Sequence, residues 1–296
     1  MLYDLNLPWS PTTPPDHLSQ TLSFAASLGY AAVALNHSLE LPLPAKPAPP
    51  PFPPLPDSDS GPASGRLRVL RRATLLLADP AASNYRLPAL AAVYDLISIR
   101  PLTEKAFQNA CLSLDVPLIS LDLTTHFPFH FRPKPCMAAV SRGVRFELCY
   151  AQLLAADSRG RANFIANLSS LIRATRGRGF VVSSEANSAL ALRAPADVVN
   201  LLSVWGLANE KGLDGLRSIP RSIVVNEAIK RRGFRGIVDV VQVASREAET
   251  ADTSDRDTTA TTSQKRKVAD AQPMSKRQAK KMKMAARAAA SENTEP

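Results

Sequence analysis

The chain has 296 residues, 36 Lys and Arg against 26 Asp and Glu, a net charge of +10, and 45% hydrophobic residues. That length and apolar content suit one large domain or two ordinary ones with a sizeable core. No apolar run approaches the length that crosses a bilayer, so a membrane partner is not expected.

The first apolar run, Leu2 to Leu7, ends at Pro8 and reads as a strand. It carries an acid and no basic cluster, which is a strand of the fold and not a secretory signal. Asp16 to Ala26 follows with Leu18, Leu22, Ala25 and Ala26 at helical spacing, and Gly29 suits its C-cap. Tyr30 to Leu35 is a short buried run that ends at Asn36-His37. Ten of the 25 prolines then fall between Pro42 and Pro62, so an insert over about residues 38–65 is expected to be disordered.

Regularity returns at Leu67 to Ala78, first Arg-rich and then continuous Leu. Ser83 to Ala92 predicts a short helix and Tyr94 to Ile99 a strand. Thr103 is a good N-cap for a helix over Glu104 to Leu114. Val116 to Leu121 is strand-like, and an aromatic loop from Thr124 to Pro135 leads to a short helix and a strand over Val144 to Tyr150. Arg159 to Thr175 is a long amphipathic helix, Phe180 to Ser183 a strand, and Pro195 to Trp205 a helix opening on proline. Helical segments near Leu213 and over Arg221 to Arg231 precede a last apolar run, Ile237 to Val243.

About seven strands, each followed by helix or loop and each apolar throughout, imply a parallel sheet buried on both faces. A length near 250 residues favours a TIM-like (β/α) barrel over residues 1–245. Residues 246–296 have almost no large apolar side chains and read as a disordered tail.

The charge is divided in the same way. Residues 1–245 carry 25 basic and 18 acidic groups, with Arg over Lys by 20 to 5, and residues 246–296 carry 11 and 8. Arg donates in a planar fork that fits phosphate, so the body points to a nucleic-acid partner. Lys265, Arg266 and Lys267, then Lys276, Arg277, Lys280, Lys281 and Lys283, form two clusters with a short polar spacer, the pattern of a nuclear localisation signal. A solvated or RNA-binding arm is the other reading of the same cations.

Enzyme motifs are thin. His126 and His130 have zinc-helix spacing, but Pro128 breaks the helix and no Glu follows His126. Gly177-Arg178-Gly179 precedes a strand and lacks a third glycine, and no serine has a hydrolase-elbow context. Cys111, Cys136 and Cys149 include no CxxC pair, which excludes a disulfide framework, argues against a Cys-based zinc site and suits a reducing compartment. In a (β/α) barrel, chemistry gathers where strands end. Those ends offer Asp4, Asn6, Asn36, His37, Asp79, Arg100, Asp122 and Glu185. Two amides and one certain His make a poor divalent-metal set, so no metal or other cofactor is expected.

Several blocks carry a resemblance. Tyr3-Asp4-Leu5-Asn6-Leu7-Pro8-Trp9, Ala34-Leu35-Asn36-His37, Tyr94-Asp95-Leu96-Ile97-Ser98-Ile99-Arg100-Pro101, Ile119-Ser120-Leu121-Asp122, Arg145-Phe146-Glu147-Leu148-Cys149-Tyr150 and Ser183-Ser184-Glu185-Ala186 stand in order along residues 1–243. Together they resemble the thirty-kilodalton protein subunit family of nuclear ribonuclease P and ribonuclease MRP. The resemblance implies a TIM-like barrel related to the polymerase-and-histidinol-phosphatase (PHP) phosphoesterases. Where those relatives have His-x-His, this chain has Asn6 and Pro8, and where they have Asp-His it has Asn36-His37. A degenerate metal site at Asp4, Asn6, His37, Arg100, Asp122 and Glu185 is therefore implied.

The resemblance also implies a non-catalytic subunit of the ribonucleoprotein that matures precursor-tRNA 5′ ends, and of the MRP particle in rRNA processing. Its partners would be the RNase P and MRP RNAs, other protein subunits including a small α/β companion, and an import receptor for the nucleus and nucleolus. Candidate RNA contacts are Arg66, Arg68, Arg71 and Arg72, then Arg132 and Lys134, then Arg173, Arg176 and Arg178, and Lys230, Arg231 and Arg232. The competing expectation is a metal-dependent phosphoesterase using Asp4, His37, Asp122 and Glu185.

Overall fold

Parallel pairing decides the architecture. A computed structural model of the chain describes residues 1–43, 52, 67–79 and 87–232. Its strands are β1 (Leu2–Pro8), β2 (Tyr30–Leu39), β3 (Arg68–Leu77), β4 (Leu96–Pro101), β5 (Leu118–Ser120), β6 (Arg145–Cys149) and β7 (Phe180–Ser183). They form one seven-stranded sheet in sequence order, every neighbouring pair parallel. The helices between them are α1 (Pro15–Ser27), α2 (Leu87–Val93), α3 (Glu104–Leu112), α4 (Pro133–Ser141), α5 (Tyr150–Ala155) and α6 (Ser158–Thr175). After β7 come α7 (Pro195–Val204), α8 (Asn209–Leu216) and α9 (Ser218–Arg232).

The sheet curls into a nearly closed TIM-like barrel. No ladder joins β7 to β1. The residues just beyond β7 close the seam instead: Glu185 N donates to Asn6 O at 2.8 Å and Ser184 N to Asp4 Oδ1 at 2.9 Å. Strands buried on both faces explain the continuous apolar runs of the sequence.

Inside the barrel, side chains alternate with those on the outer face and stack in layers. The lower layer, where strands begin, is apolar: Leu5, Ala32, Leu70, Leu96, Leu118 and Val181, closed by Ile223 and Val224 of α9. The layer above is polar, with Asn36, Arg72, Thr74, Ser98, Ser120, Glu147 and Ser183 all buried. A larger core lies between sheet and helices. The aromatic loop belongs to it: in His126-Phe-Pro-Phe-His-Phe131 alternate residues point opposite ways. Phe129 and Phe131 are buried against Phe107, Phe127 packs on both, and His126 and His130 face solvent.

Most expected elements form within a residue or two. Thr103 caps α3 by accepting from Ala106 N at 3.3 Å. Gly29, at φ +88°, ends the first helical turn-out into β2. Within α1, Thr21 is buried and Ala26 is exposed, so the core face is rotated from the expected one. β2 runs on to Leu39, past Asn36-His37 and into the expected insert, because Ser38 and Leu39 pair with Thr74 and Leu75 of β3. Phe52, inside that insert, is packed too: it stacks on Trp9 at 4.6 Å between ring centroids, with Arg71 over its ring. The rest of the insert, the start of the helix expected at Ser83, the run Ile237 to Val243 and the tail 246–296 lie outside the described residues.

Two glycines let α8 lie close to its neighbours. A Cβ on Gly215 would stand 3.1 Å from Phe180 O and from Val182 Cγ2 of β7, and one on Gly212 would stand 3.2 Å from Val199 Cγ1 of α7. Gly215→Val should destabilise the chain by about 1–3 kcal/mol through overpacking against backbone, read from the urea unfolding midpoint.

Candidate functional site

Arg72 projects from β3 across the barrel to Glu147 on β6. Its Nη1 donates to Glu147 Oε1 at 2.5 Å and to Leu5 O at 2.6 Å, and its Nη2 donates to Glu147 Oε2 at 2.6 Å and to Ser98 Oγ at 2.8 Å. Both side chains have no solvent exposure. Ser183 Oγ also donates to Glu147 Oε1 at 2.8 Å. Asn6 Nδ2 donates to Glu147 Oε2 at 3.3 Å, Asn36 Nδ2 to Asn6 Oδ1 at 2.8 Å, and Thr74 Oγ1 to Asn36 Oδ1 at 2.7 Å. Burial opposes the charge on each partner of the ion pair, but each ion outweighs that cost for the other. The Arg72 guanidinium is held above its usual range and the Glu147 carboxyl below its own.

This network corrects the expected role of Arg72. A guanidinium sealed inside the barrel and bonded on both prongs has no face to offer RNA. Its position explains why one arginine of the Arg-rich start of β3 lies on the strand's buried face.

The mouth above this network holds a second pair. Arg100 Nη2 donates to Glu185 Oε1 at 2.7 Å and to Ser120 Oγ at 3.1 Å, and Gln152 Nε2 donates to Glu185 Oε2 at 2.6 Å. Glu185 takes a left-handed φ of 54°, and that turn at the end of β7 aims its carboxylate at Arg100. Asp122 accepts from Thr124 N at 3.1 Å and Thr124 Oγ1 at 2.6 Å, fixing its own loop. His37 stands apart, with Nδ1 3.1 Å from the Tyr94 hydroxyl and its ring edge-on to Trp9; desolvation lowers its pKa. Beside it a cavity of about 550 Å3 opens between the end of β1 and α1, lined by Trp9, Thr13, His17 and Asn187 among others.

Asp4 lies deeper, at the β1–β7 seam. Its Oδ1 accepts from Asn6 N and Ser184 N at 3.2 and 2.9 Å, while its Oδ2 is buried without a partner. Desolvation, with a smaller contribution from Glu147, pushes its carboxyl up to about 6 despite the hydrogen bonds from Ser184 and Asn6.

The residues assigned to a phosphoesterase thus serve four separate local tasks and do not converge. Among the described residues no three of His, Cys, Asp and Glu stand close enough to hold a metal ion. The donor set does not fit one either: amides at Asn6 and Asn36 are weak ligands, and the Arg100 cation neutralises the carboxylate that closes the mouth. All three cysteines are free and buried.

Of the expected RNA contacts, Arg68, Arg71, Arg132, Lys134, Arg173, Arg176 and Arg178 are exposed. Arg132 lies 3.7 Å from Glu104; Lys230 and Arg231 are exposed but ion-paired to Asp115 and Asp95; Arg232 is the last residue of α9. Arg66 and the eight tail cations lie outside the described residues. Sequence reasoning missed Glu147 and Gln152 altogether. The signal for Glu147 was a lone acid in the otherwise largely apolar run Val144 to Tyr150.

Residues 1–232 match the family described as RNase P subunit p30. The chain belongs to that family. It is 30% identical over 241 residues to the probable ribonuclease P protein subunit 3 of Schizosaccharomyces pombe, covering 81% of this chain and 99% of that protein. It is 31% identical over 229 residues to the mouse ribonuclease P protein subunit p30, covering 74% and 83%. The ribonuclease P/MRP protein subunit RPP1 of Saccharomyces cerevisiae is 27% identical over 252 residues, covering 79% and 83%. In fold it is similar to a chain in a cryo-EM structure of archaeal ribonuclease P with mature tRNA, with a TM-score of 0.56, 14% identity, and coverage of 82% of this chain and all of that one.

Two measurements check the electrostatics. Arg72→Met leaves Glu147 buried and uncompensated and should cost about 3–5 kcal/mol in urea unfolding, with Glu147→Gln added to it recovering a large part. The raised Asp4 carboxyl binds its proton more tightly folded than unfolded. Its contribution to stability is therefore present below about pH 4 and is lost as pH rises through about 6. Comparison of wild type with Asp4→Asn should show that loss, up to about 3 kcal/mol, in the wild type alone.

Proposed function

We propose that this chain is a non-catalytic protein subunit of the ribonuclease P ribonucleoprotein, supporting RNA-catalysed 5′ maturation of precursor tRNA, and of ribonuclease MRP in rRNA processing. The observation that carries the proposal is that the family match spans the whole described fold, while the barrel mouth is filled by an Arg100–Glu185 pair. A PHP-like ancestry accounts for a barrel whose ligand positions have become Asn6, Pro8 and Asn36. The chain would bind the RNase P and MRP RNAs through its exposed arginines, mostly at phosphates and by shape. It would sit beside other protein subunits, a small α/β companion among them. The basic clusters of the tail, Lys265–Lys267 and Lys276–Lys283, would engage an import receptor and place the protein in the nucleus and nucleolus.

Purification of the tagged full chain from nuclei should recover both RNAs together with precursor-tRNA 5′ cleavage, and His37→Ala should leave that cleavage unchanged. Recovery of neither RNA overturns the proposal, as does an RNA-free phosphodiesterase activity abolished by His37→Ala. Replacing the basic residues of both tail clusters by Ala should move a fluorescent fusion from nucleus to cytoplasm.

A further inference from the structure

In an all-parallel barrel every strand begins at one end and finishes at the other, so the two rims can be compared. At the rim where strands begin, Arg68 opens β3, Arg142 stands just before β6, and Arg173, Arg176 and Arg178 surround the turn from α6 into β7; all five are exposed. Of the acids at this end, Asp95, Asp115 and Glu227 are engaged by Arg231 and Lys230 of α9 at 2.5 to 3.4 Å, and Asp214, beside the start of β7, accepts from Ser218 Oγ at 2.9 Å. Among the described residues no ion pair involves Arg68, Arg142, Arg173, Arg176 or Arg178. At the mouth, Arg100 and Arg132 lie against Glu185 and Glu104. The exposed Lys105, Arg159, Arg161 and Arg193, in no ion pair among the described residues, share that end with Asp16, Asp122, Asp157 and Asp197. The excess of cations over acids sits at the end away from the mouth.

The backbone singles out the same rim. Arg176 holds a left-handed φ of 55° at the C-cap of α6, followed by Gly177 at 68° and Gly179 at 76°. Glycine takes that conformation without strain and a residue with a Cβ does not, so an arginine at Arg176 keeps its cation at a cost to the fold. A Cβ on Gly179 would stand 2.9 Å from Val140 Cγ2, so the turn is pressed onto α4 and cannot drift. Arg142 is fixed too, donating to Cys111 O at 2.7 Å and Leu114 O at 2.8 Å while its exposed edge remains.

Resting on the ribonucleoprotein reading above, we propose that a double-stranded RNA element docks on the strand-start rim of the barrel, opposite the mouth, and is gripped at its phosphates by Arg68, Arg142, Arg173, Arg176 and Arg178. The arginines spread around the barrel end from β3 to β7. With neighbouring strands about 4.8 Å apart, the four steps from β3 to β7 span about 19 Å along the barrel wall. Such a spread spans phosphates on both strands of an A-form helix and exceeds what one phosphate or one acidic side chain would occupy. Recognition at phosphates is by shape, which suits structured RNA.

The test compares full-length variants for binding to an RNase P RNA transcript across a salt series. Arg176→Glu with Arg178→Glu marks the rim, and Lys105→Glu with Ser158→Glu, at the exposed starts of α3 and α6, marks the mouth side. The rim pair should weaken binding about 10- to 100-fold and lower the slope of log affinity against log salt by about 2, as two phosphate contacts are lost. The mouth-side pair should leave both unchanged. Arg176→Gly separates RNA contact from folding: its melting temperature should match or exceed wild type while its RNA affinity falls. Equal losses in the two pairs, or a loss only in the mouth-side pair, overturn the assignment of the face while the ribonucleoprotein reading stands. Rim variants that keep RNA but lose copurifying protein subunits overturn it in favour of a protein interface. A wild-type chain that binds no RNA overturns both.

Discussion

The ion pair between Arg72 and Glu147 is the constraint around which the barrel is arranged. A guanidinium and a carboxylate without water tolerate one another only at close range and with their remaining hydrogen-bonding capacity filled. Leu5 O, Ser98, Ser183 and Asn6 supply all of it but the buried Arg72 Nε on the guanidinium, and they come from β1, β4 and β7. The pair therefore ties five of the strands into one polar layer. It adds little net stability over an apolar filling, since desolvation consumes much of the attraction. Its effect is on geometry: any slip of register in β3 or β6 would strand a buried charge.

That layer also explains what became of the mouth. Asn6 and Asn36 are held in the network below, Glu185 is turned by a left-handed backbone onto Arg100, and Gln152 occupies the other carboxylate oxygen. Asp4, His37, Asp122 and Glu185 are each engaged by a separate neighbour: Ser184, Tyr94, Thr124 and Arg100. A barrel end built this way is a rigid support. The excess of cations over acids lies at the opposite rim, carried by turns and strand starts that the same packing holds in place.

The order of elements was legible because the strands are largely apolar runs and several helices are bounded by a cap, a proline or a glycine. Thr103, Gly29, Pro195 and the run Phe180 to Ser183 mark boundaries by local chemistry alone, and local chemistry survives folding. The end of β2 was less legible, since Ser38 and Leu39 extend the strand only through pairing with β3. Phe52 was likewise invisible within a proline-rich stretch. Its order comes from Trp9 and Arg71, which are 43 and 19 residues away along the chain.

The parallel barrel, the order of its elements, the richness in arginine and the family could all be read along the chain. These depend on periodicity, composition and blocks of residues in order. Only the tertiary structure decided which charges face water. Arg71 and Arg72 are adjacent in the chain, yet alternation along the strand sends the first to the surface and the second into the barrel. Which carboxylates meet which guanidiniums follows from pairings between residues 75 and 85 positions apart. Such pairings leave no periodic trace in the chain, because burial and ion pairing are settled by what folding brings across the barrel.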